Sequence, residues 1–289
     1  MLPPRIGFLG IGIMGYPMAL SLLKKGYNLT VYNRTKEKCY TLQKEGAKIA
    51  LYPKDLGYIS NVFITMLENE KAMDDVCFSP QGLFETIEEG SYFINMSTVS
   101  VDYTMKLKKE CTKRKVRFID CPVSGSKPIA EKGELILLCG CVREDLDYVK
   151  DILLSMGKDI VYCGDSPNGT ILKLCINLIL ATMTVGIVEG VNLCKKSGLY
   201  PSFIFEVIEK SPVLNCGYFK IKKDKLLKSD YSTQFSVKNM LKDINFMIEL
   251  ANKNKVNLPV TSKVKEIFEN AFKKGFYNED LIAIDKVYK

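Results

Sequence analysis

The segment RIGFLGIGIMGYPMALSLLKKGYNLTVYNRT, residues 5–35, constrains the fold more than any other part of the chain. A short apolar run leads into Gly10, Gly12 and Gly15, which precede a helix-length segment, a glycine stop and a second apolar run. In this setting the first glycine permits a tight turn, the second lets a pyrophosphate approach the backbone, and the third packs the helix against the sheet. Free N–H groups at the start of the helix favour an anion. The segment therefore predicts a dinucleotide-binding unit.

Strand-like runs alternate with helical segments from residue 5 to about residue 163: RIGFLG, NLTVYN, NVFITM, YFINMS, VRFIDC, ELILLCG and DIVYCG. This alternation predicts a doubly wound parallel sheet, an α/β Rossmann domain over residues 1–165. Beyond GDSPNG the periodicity is helical, so residues 166–289 are predicted to form an all-α domain for substrate binding and subunit contacts. The helix from about Gly169 to Lys196 is apolar nearly all round, which predicts that it is buried.

The composition excludes several classes of protein. The chain has 289 residues, 47% of them hydrophobic, which is ordinary for a globular protein. It has no histidine, and its scattered cysteines show no metal-ligand spacing, so no metal site is predicted. The apolar run from Leu174 to Val188 is short for a bilayer, and the chain enters a strand almost at once. We therefore expect a cytoplasmic protein with no membrane partner.

The net charge of +8 falls largely on lysine-rich helical segments such as residues 108–117 and 220–228. No nucleic-acid reader motif and no interleaved aromatic residues accompany these segments, so no nucleic-acid partner is predicted. Two explanations of the charge stay open. It is either a solvated basic surface or an attraction for an anionic substrate or cofactor.

The end of the second predicted strand bears on the choice of cofactor. An acidic residue there would bind the ribose of NAD, whereas this chain has Tyr32-Asn33-Arg34-Thr35-Lys36. Arg34 can pair with the 2′-phosphate of NADP while Asn33 and Thr35 donate hydrogen bonds. The alternative is an ordinary polar loop. The pattern favours NADPH over NADH.

The run GTILKLCIN, residues 169–177, places Lys173 among apolar residues, with Asn177 one helical turn later on the same face. A lysine in such a run commonly extends its ammonium group to solvent. The other interpretation is chemical, because reduction of a carbonyl needs a proton donor. In a chain without histidine, a lysine with a pKa lowered by desolvation can serve as that donor. Asn177 can then hold both the lysine and the substrate oxygen.

Together these segments resemble the β-hydroxyacid dehydrogenases, a family that includes 3-hydroxyisobutyrate dehydrogenase and glyoxylate/succinic semialdehyde reductase. The resemblance covers essentially the whole chain and rests on motifs in the family's order. These motifs are GFLGIGIMGYPMA (7–19), FITML (63–67), NMSTVS (95–100), DCPVSGSKPIAEKGEL (120–135), GTILKLCIN and FSVKNMLKDI (235–244).

The resemblance assigns roles to individual residues. It makes Lys173 and Asn177 the catalytic pair. It makes Ser124, Gly125 and Ser126 the substrate-binding loop, which by itself is only a turn, although its hydroxyls and N–H groups suit a carboxylate. The cofactor-binding residues that it implies, besides Asn33, Arg34 and Thr35, are Gly10, Ile11, Gly12, Ile13, Met14, Gly15, Met66, Leu67, Thr98 and Lys242.

The chain departs from the family pattern at two positions near the catalytic lysine that the resemblance implies. Pro167 replaces a glycine before the lysine helix, and Ile176 replaces the first of two asparagines. Ser126 stands where 3-hydroxyisobutyrate dehydrogenases tend to have a second glycine, which favours the glyoxylate/succinic semialdehyde reductase branch. The predicted function is therefore NADPH-dependent reduction of small aldehyde or 2-keto acids, with a small carboxylate-bearing substrate.

Two alternatives stay open. The first is an NAD-dependent 3-hydroxyisobutyrate dehydrogenase. The second is a non-catalytic binding module of the same fold, which the presence of Lys173 disfavours. Apolar helical faces in excess of one chain's core predict a homodimer or homotetramer.

Overall fold

The computed structural model describes residues 4–288 of the chain. These residues form two compact units that divide between Lys173 and Leu174, inside one long helix. That helix begins at Asn168, just after the predicted domain boundary near residue 165. The first unit therefore contains the start of the helix, including Lys173, and the second unit contains the rest.

The first unit is built on a six-stranded parallel sheet with the strand order β3-β2-β1-β4-β5-β6. The strands are β1 (Arg5–Leu9), β2 (Asn28–Tyr32), β3 (Lys48–Ile49), β4 (Val62–Thr65), β5 (Tyr92–Asn95) and β6 (Arg117–Asp120). Their last residues pair with one another: Leu9 with Tyr32 and Thr65, Thr65 with Asn95, and Asn95 with Asp120. Five strands therefore end at one level, and in such folds ligands bind beyond this edge of the sheet.

Helices cover both faces of the sheet, because alternate strand residues point to opposite sides. Phe8 packs in one core cluster and its neighbour Leu9 in the other. The helices of this unit are α1 (Gly15–Lys24), α2 (Tyr40–Lys44), α3 (Pro53–Gly57), α4 (Glu70–Cys77), α5 (Val101–Lys113), α6 (Lys127–Glu131) and α7 (Arg143–Leu154). This arrangement confirms the predicted doubly wound α/β fold.

The last two predicted strands lie outside the six-stranded sheet. They form a three-stranded sheet of β7 (Val123–Ser124), β8 (Leu135–Cys139) and β9 (Gly157–Tyr162). β8 pairs antiparallel with β7, and Gly140, just after β8, pairs antiparallel with Asp120. Because β8 runs against β6, it cannot extend the all-parallel ladder.

The second unit is helical, as the periodicity predicted. No strand follows Tyr162 within residues 4–288, although Ser236 and Asp280 form an isolated bridge. The helices are α8 (Asn168–Lys196), α9 (Ser202–Lys210), α10 (Gly217–Leu227), α11 (Val237–Lys253) and α12 (Pro259–Lys273), followed by a 3₁₀ segment (Leu281–Val287).

Helix α8 is less buried than its composition predicts. Its most apolar 18-residue window has a mean hydropathy of 2.1, yet only 39% of that window is buried. Ile179 and Leu193 are 54% and 71% exposed. The prediction that this helix is buried is therefore wrong for much of its surface. By length and composition α8 could cross a membrane, which is weak evidence because long core helices of soluble proteins meet the same criterion. The absence of a membrane partner stays a prediction.

Candidate functional site

The glycine turn lies at the level edge of the six-stranded sheet, between β1 and α1. Gly10 has a φ of 107°, and a Cβ atom there would lie 2.3 Å from the Met66 carbonyl oxygen. A Cβ atom on Gly15 would lie 1.9 Å from the Gly10 carbonyl oxygen. By contrast, a Cβ atom on Gly12 would meet nothing within 4 Å. The outer glycines are therefore needed for packing, while the backbone at Gly12 is open to the approach of a phosphate.

Asn33, just after β2, holds the glycine turn against the neighbouring strand. Its Oδ1 accepts a hydrogen bond from the Ile11 N–H at 3.0 Å, and its Nδ2 donates to the Thr35 carbonyl at 2.8 Å. The Asn33 amide thus shapes the turn, a role that the sequence analysis did not assign to it. Ile11 is buried, Met14 is partly buried, and Ile13 is 47% exposed.

Arg34 and Thr35 are exposed at the same edge, beyond the end of β2. Burial raises the pKa of the Tyr32 phenol, and the nearby Arg34 guanidinium opposes that rise. Residues 32–36 include no carboxylate. The end of β2 therefore offers an exposed guanidinium where NAD-binding members of such folds place an acid.

A buried polar network joins the ends of β4 and β5. The Asn95 Oδ1 accepts hydrogen bonds from the Thr65 hydroxyl at 3.2 Å and from the Ser97 N–H at 3.1 Å. The Ser97 Oγ in turn accepts from the Leu67 N–H at 2.8 Å. These bonds fix Leu67 beside Gly10, where the Leu67 Cδ2 lies 2.8 Å from the position of a Cβ atom on that glycine.

Two predicted cofactor residues of this unit remain, and both are half-buried. Met66 directly follows β4, and Thr98 directly follows the network residue Ser97. The structure therefore brings together the glycine turn and the Met66–Leu67 segment.

The predicted substrate loop follows β6 along the chain. Ser124 pairs with Ile136 across β7 and β8, and Gly125 is exposed with a φ of 139°. The Ser126 hydroxyl is buried and has no hydrogen-bond partner among the described residues. A buried hydroxyl without a partner costs free energy, and an acceptor oxygen of a ligand would remove that cost. The loop fits the carboxylate predicted for it.

Asp120, the last residue of β6, binds the first turn of α8. Its Oδ2 accepts a hydrogen bond from the Thr170 N–H and its Oδ1 from the Thr170 hydroxyl, both at 2.7 Å. The Asp120 side chain is fully buried. Lys173 is half-buried and lies on the next turn of the same helix. Lys173 therefore lies one turn beyond the helical turn that Asp120 binds at the ligand-binding edge of the sheet.

In the second unit, Asn177 and Lys242 converge on one carboxylate. The Asn177 Nδ2 donates to the Asp243 Oδ2 at 2.7 Å, and the Lys242 ammonium lies 2.8 Å from the Asp243 Oδ1. Asn177 and Asp243 are each 1% exposed. Because a carboxylate only accepts, this contact fixes which way the Asn177 amide points.

The sequence analysis assigned no role to three residues whose hydrogen bonds hold the site segments in place: Asp120, Ser97 and Asp243. Asp243 carried a readable signal, because it lies on the buried face of α11 with Met240, Ile244 and Met247. A carboxylate at such a position needs a polar partner. Asp120 carried no local signal, since its partner Thr170 lies 50 residues away in sequence.

Metal ligands are scarce in the described part of the chain. Residues 4–288 include no group of three or more cysteine, aspartate or glutamate side chains placed to hold a metal ion. The chain has no histidine to add.

Comparison with known families accounts for nearly the whole chain. Residues 5–164 match a family described as the NAD binding domain of 6-phosphogluconate dehydrogenase. Residues 168–288 match one described as the NAD-binding of NADP-dependent 3-hydroxyisobutyrate dehydrogenase. Together with the fold, these matches define an NAD(P)-dependent hydroxyacid dehydrogenase. The chain belongs to the 3-hydroxyisobutyrate dehydrogenase family, which confirms the resemblance read from its motifs.

Individual relatives cover the chain from end to end. Glyoxylate/succinic semialdehyde reductase 1 of Arabidopsis thaliana is 34% identical over 285 residues, which are 99% of this chain and 98% of the relative. The structure of 3-hydroxyisobutyrate dehydrogenase from Salmonella typhimurium has a TM-score of 0.91 at 22% identity and covers 98% of this chain and 99% of its own.

A second solved structure, Psf3 in complex with NADP+ and 2-OPP, has a TM-score of 0.90 at 22% identity and covers 98% of this chain and 100% of its own. At such identities the two structures support the fold alone. The class of enzyme is established by the family matches, while the substrate and the preference for NADPH stay predictions.

Proposed function

We propose that the protein is an NADPH-dependent reductase of small aldehyde or 2-keto acids, such as glyoxylate and succinic semialdehyde, with Lys173 as the general acid. One observation carries the proposal. The helical turn before Lys173 is bonded to Asp120, at the same edge of the sheet that bears the glycine turn. The similarity to the Arabidopsis reductase supports the choice of substrates.

The residues at this edge fit a dinucleotide. The open backbone at Gly12 admits a pyrophosphate, and the buried network behind Leu67 holds the adjoining wall in place. A bound NADPH supplies the hydride. We propose that the exposed guanidinium of Arg34 pairs with the 2′-phosphate, with Thr35 assisting, and that Met66 and Thr98 complete the cofactor contacts of the first unit.

The protein's own part in the reaction is to hold the substrate and to deliver a proton. Ser124, the Gly125 N–H and Ser126 bind the substrate carboxylate, for which the Ser126 hydroxyl is available. Reduction of the carbonyl leaves an oxygen that needs a proton, and the Lys173 ammonium donates it. Asn177, held by Asp243, orients the reacting oxygen.

The test of this mechanism is Lys173→Met, which keeps an unbranched apolar side chain and removes the ammonium group. General acid catalysis contributes about 10²–10⁴-fold, so we expect kcat to fall at least a hundredfold while the Kd for NADPH stays near wild type. Lys196→Met, at the exposed last turn of the same helix, is the matched control and should keep full activity. An active Lys173→Met enzyme would end the proposed mechanism.

The cofactor preference is tested by Arg34→Ala. A hydrogen bond to a charged group contributes on the order of 1.5–3 kcal/mol, so the KM for NADPH should rise roughly tenfold to a hundredfold. The KM for NADH should be nearly unchanged. Lys44→Ala, an exposed lysine in α2, controls for the general loss of positive charge. Equal losses with both cofactors would argue against a phosphate contact.

The substrate is tested by steady-state assays that combine NADPH or NADH with glyoxylate or succinic semialdehyde, and NADP+ or NAD+ with 3-hydroxyisobutyrate. The main alternative is oxidation of 3-hydroxyisobutyrate, which the family matched by residues 168–288 favours. A kcat/KM for 3-hydroxyisobutyrate above those of both aldehydes would select that alternative. Absence of turnover with all three, despite NADPH binding, would favour a non-catalytic module.

A further inference from the structure

Helix α8 begins without a capping side chain of its own. Asn168, its first residue, directs its side-chain amide to the Cys163 carbonyl at 2.8 Å. The backbone N–H groups of Asn168 and Ile171 donate to the carbonyls of Asp165 and Pro167. The Thr170 N–H donates instead to the Asp120 carboxylate at 2.7 Å. A side chain from β6 therefore does the work of a helix cap.

The first turn of α8 packs so closely around this cap that there is no room for a side chain at two glycines. A Cβ atom on Gly169 would lie 2.5 Å from the Asp120 carbonyl oxygen and 3.0 Å from its Oδ2. A Cβ atom on Gly140 would lie 2.7 Å from the Gly169 N. The first turn of α8 is thus pressed against the ends of β6 and β8 at two glycines. This close approach accounts for Gly169, which the sequence analysis noted only as part of a family motif.

A chain of hydroxyl groups supports the cap from α5. The Thr170 hydroxyl, which donates to Asp120, lies 2.9 Å from the Thr104 hydroxyl. The Thr104 hydroxyl is also 3.1 Å from the Ser100 carbonyl. Asp120 and Thr104 are fully buried, and Thr170 is 1% exposed. Every member of this chain is held inside the first unit and away from water.

Lys173 follows Thr170 by three residues and Gly169 by four, so it lies on the same side of α8 as the capped turn. Any shift of that turn relative to β6 carries the Lys173 side chain with it. We propose that Asp120 is a positioning residue, whose two bonds to Thr170 set the place from which Lys173 delivers its proton. This inference rests on the proposed function of Lys173.

The experiment compares two substitutions at Asp120 in the full chain. Asp120→Ala removes both bonds. Asp120→Asn can keep both, because its oxygen accepts from the Thr170 N–H and its amide donates to the Thr170 hydroxyl. A catalytic group displaced by about 1 Å can lose up to about a hundredfold in rate. We therefore expect kcat to fall roughly tenfold to a hundredfold in Asp120→Ala, with an unchanged KM for NADPH, and to return to within about threefold of wild type in Asp120→Asn.

Asp145→Ala is the matched control. Asp145 is another buried carboxylate of the same unit, and it binds Arg117 at the opposite end of β6. Its loss should lower the melting temperature but leave kcat unchanged for the folded enzyme. If Asp120→Ala behaves in the same way, the positioning role is wrong and Asp120 only stabilises the fold.

Two further measurements keep the result unambiguous. If Asp120→Ala does not fold, Thr170→Val provides the test, because it removes the hydroxyl's bonds to Asp120 and Thr104 and keeps the side-chain shape and the backbone bond. This variant must lower kcat severalfold, and an unchanged kcat overturns the proposal. A larger primary isotope effect with deuterated NADPH should accompany each loss of kcat. Lys173→Met separates the two hypotheses: if it is inactive while Asp120→Ala is fully active, the proposed function stands and the positioning role falls.

Discussion

Asp120 and Asp243 are two buried aspartates that each accept a hydrogen bond from an early turn of α8, one within each compact unit. Asp120 binds the backbone N–H and the hydroxyl of Thr170, which are the neutral donors that the described residues offer it. Asp243 binds the side-chain amide of Asn177 and also pairs with the Lys242 ammonium. One carboxylate holds the helix itself, and the other holds a side chain that the helix carries.

The difference matters because a buried charge without an opposite charge is costly. The Lys242 ammonium compensates the charge of Asp243. Asp120 has only N–H and O–H dipoles at the positive end of a helix, and burial raises its pKa to about 7. The neighbouring Cys163 thiol has a pKa that is raised first by its own burial and then by the Asp120 charge. Asp120 is thus a buried carboxyl group with a raised pKa, while Asp243 lies in contact with an ammonium group.

The largest effect is expected from Asp243→Ala. This change removes a carboxylate that contacts the mostly buried Lys242 ammonium and accepts from the buried Asn177 amide. Loss of one member of a buried pair costs about 3–5 kcal/mol, which urea denaturation should show as a lower free energy of unfolding. Asp224→Ala, at an exposed carboxylate of α10, is the control and should leave stability unchanged. A loss as small as the control's would mean that this ionic contact contributes nothing.

The next effect is a pH dependence that belongs to Asp120. Its folded-state pKa is raised to about 7, so the folded state holds a proton that the unfolded chain releases near pH 4. The stabilising contribution is full below about pH 4 and is lost as the pH rises to about 7, by roughly 3–4 kcal/mol.

Urea denaturation between about pH 4 and pH 8 measures this loss as a falling free energy of unfolding. Asp120→Asn, which cannot ionise, should lack that part of the slope. Equal slopes for the wild type and the variant would show that the ionisation of Asp120 does not contribute to the pH dependence of stability.

The number of hydrogen bonds that the Thr170 and Thr104 hydroxyls can make also favours a protonated Asp120, in agreement with its raised pKa. When Asp120 is protonated it can donate to Thr170, which donates to Thr104, which donates to the Ser100 carbonyl. When Asp120 is ionised, the single proton of Thr104 must choose between Thr170 and that carbonyl. The protonated state therefore satisfies one more acceptor.

The smallest effect is expected from Thr170→Val, which removes one hydroxyl from the cap. Above about pH 8 the lost bond is to a carboxylate and should cost about 1.5–3 kcal/mol of unfolding free energy. Near pH 5 the partner is a neutral acid, and the cost should fall to about 1 kcal/mol. A double-mutant cycle with Asp120→Asn measures the coupling. No dependence of this cost on pH would break the contrast drawn between the two aspartates.

Much of the fold was readable from local pattern. Five of the six strands of the large sheet, the glycine turn and the helical second half follow from periodicity and turn residues. β3 was missed because two residues, Lys48 and Ile49, cannot show alternation. The three-stranded sheet was missed because the direction of β8 depends on its antiparallel pairing with β7. The sequence of a single strand does not show which strand it pairs with.

The candidate site was readable only in part, for a physical reason. Residues such as Gly12 and Lys173 belong to short motifs with a chemical meaning of their own. Asp120 ends an ordinary buried strand, RFID, and acquires its role only when a residue 50 positions away folds onto it. Asn33 shows the converse, since a residue assigned to the cofactor is engaged with the turn behind it.

The distance along the chain between Asp120 and its cap partner also has a consequence for biosynthesis. At about 5–20 residues per second, a ribosome adds the 50 residues from Asp120 to Thr170 in roughly 3–10 s. During that interval the sheet can assemble, but its last strand ends in a carboxylate with nothing to receive it. The nascent first unit therefore cannot close fully until its own last residues, the opening turn of α8, have been added.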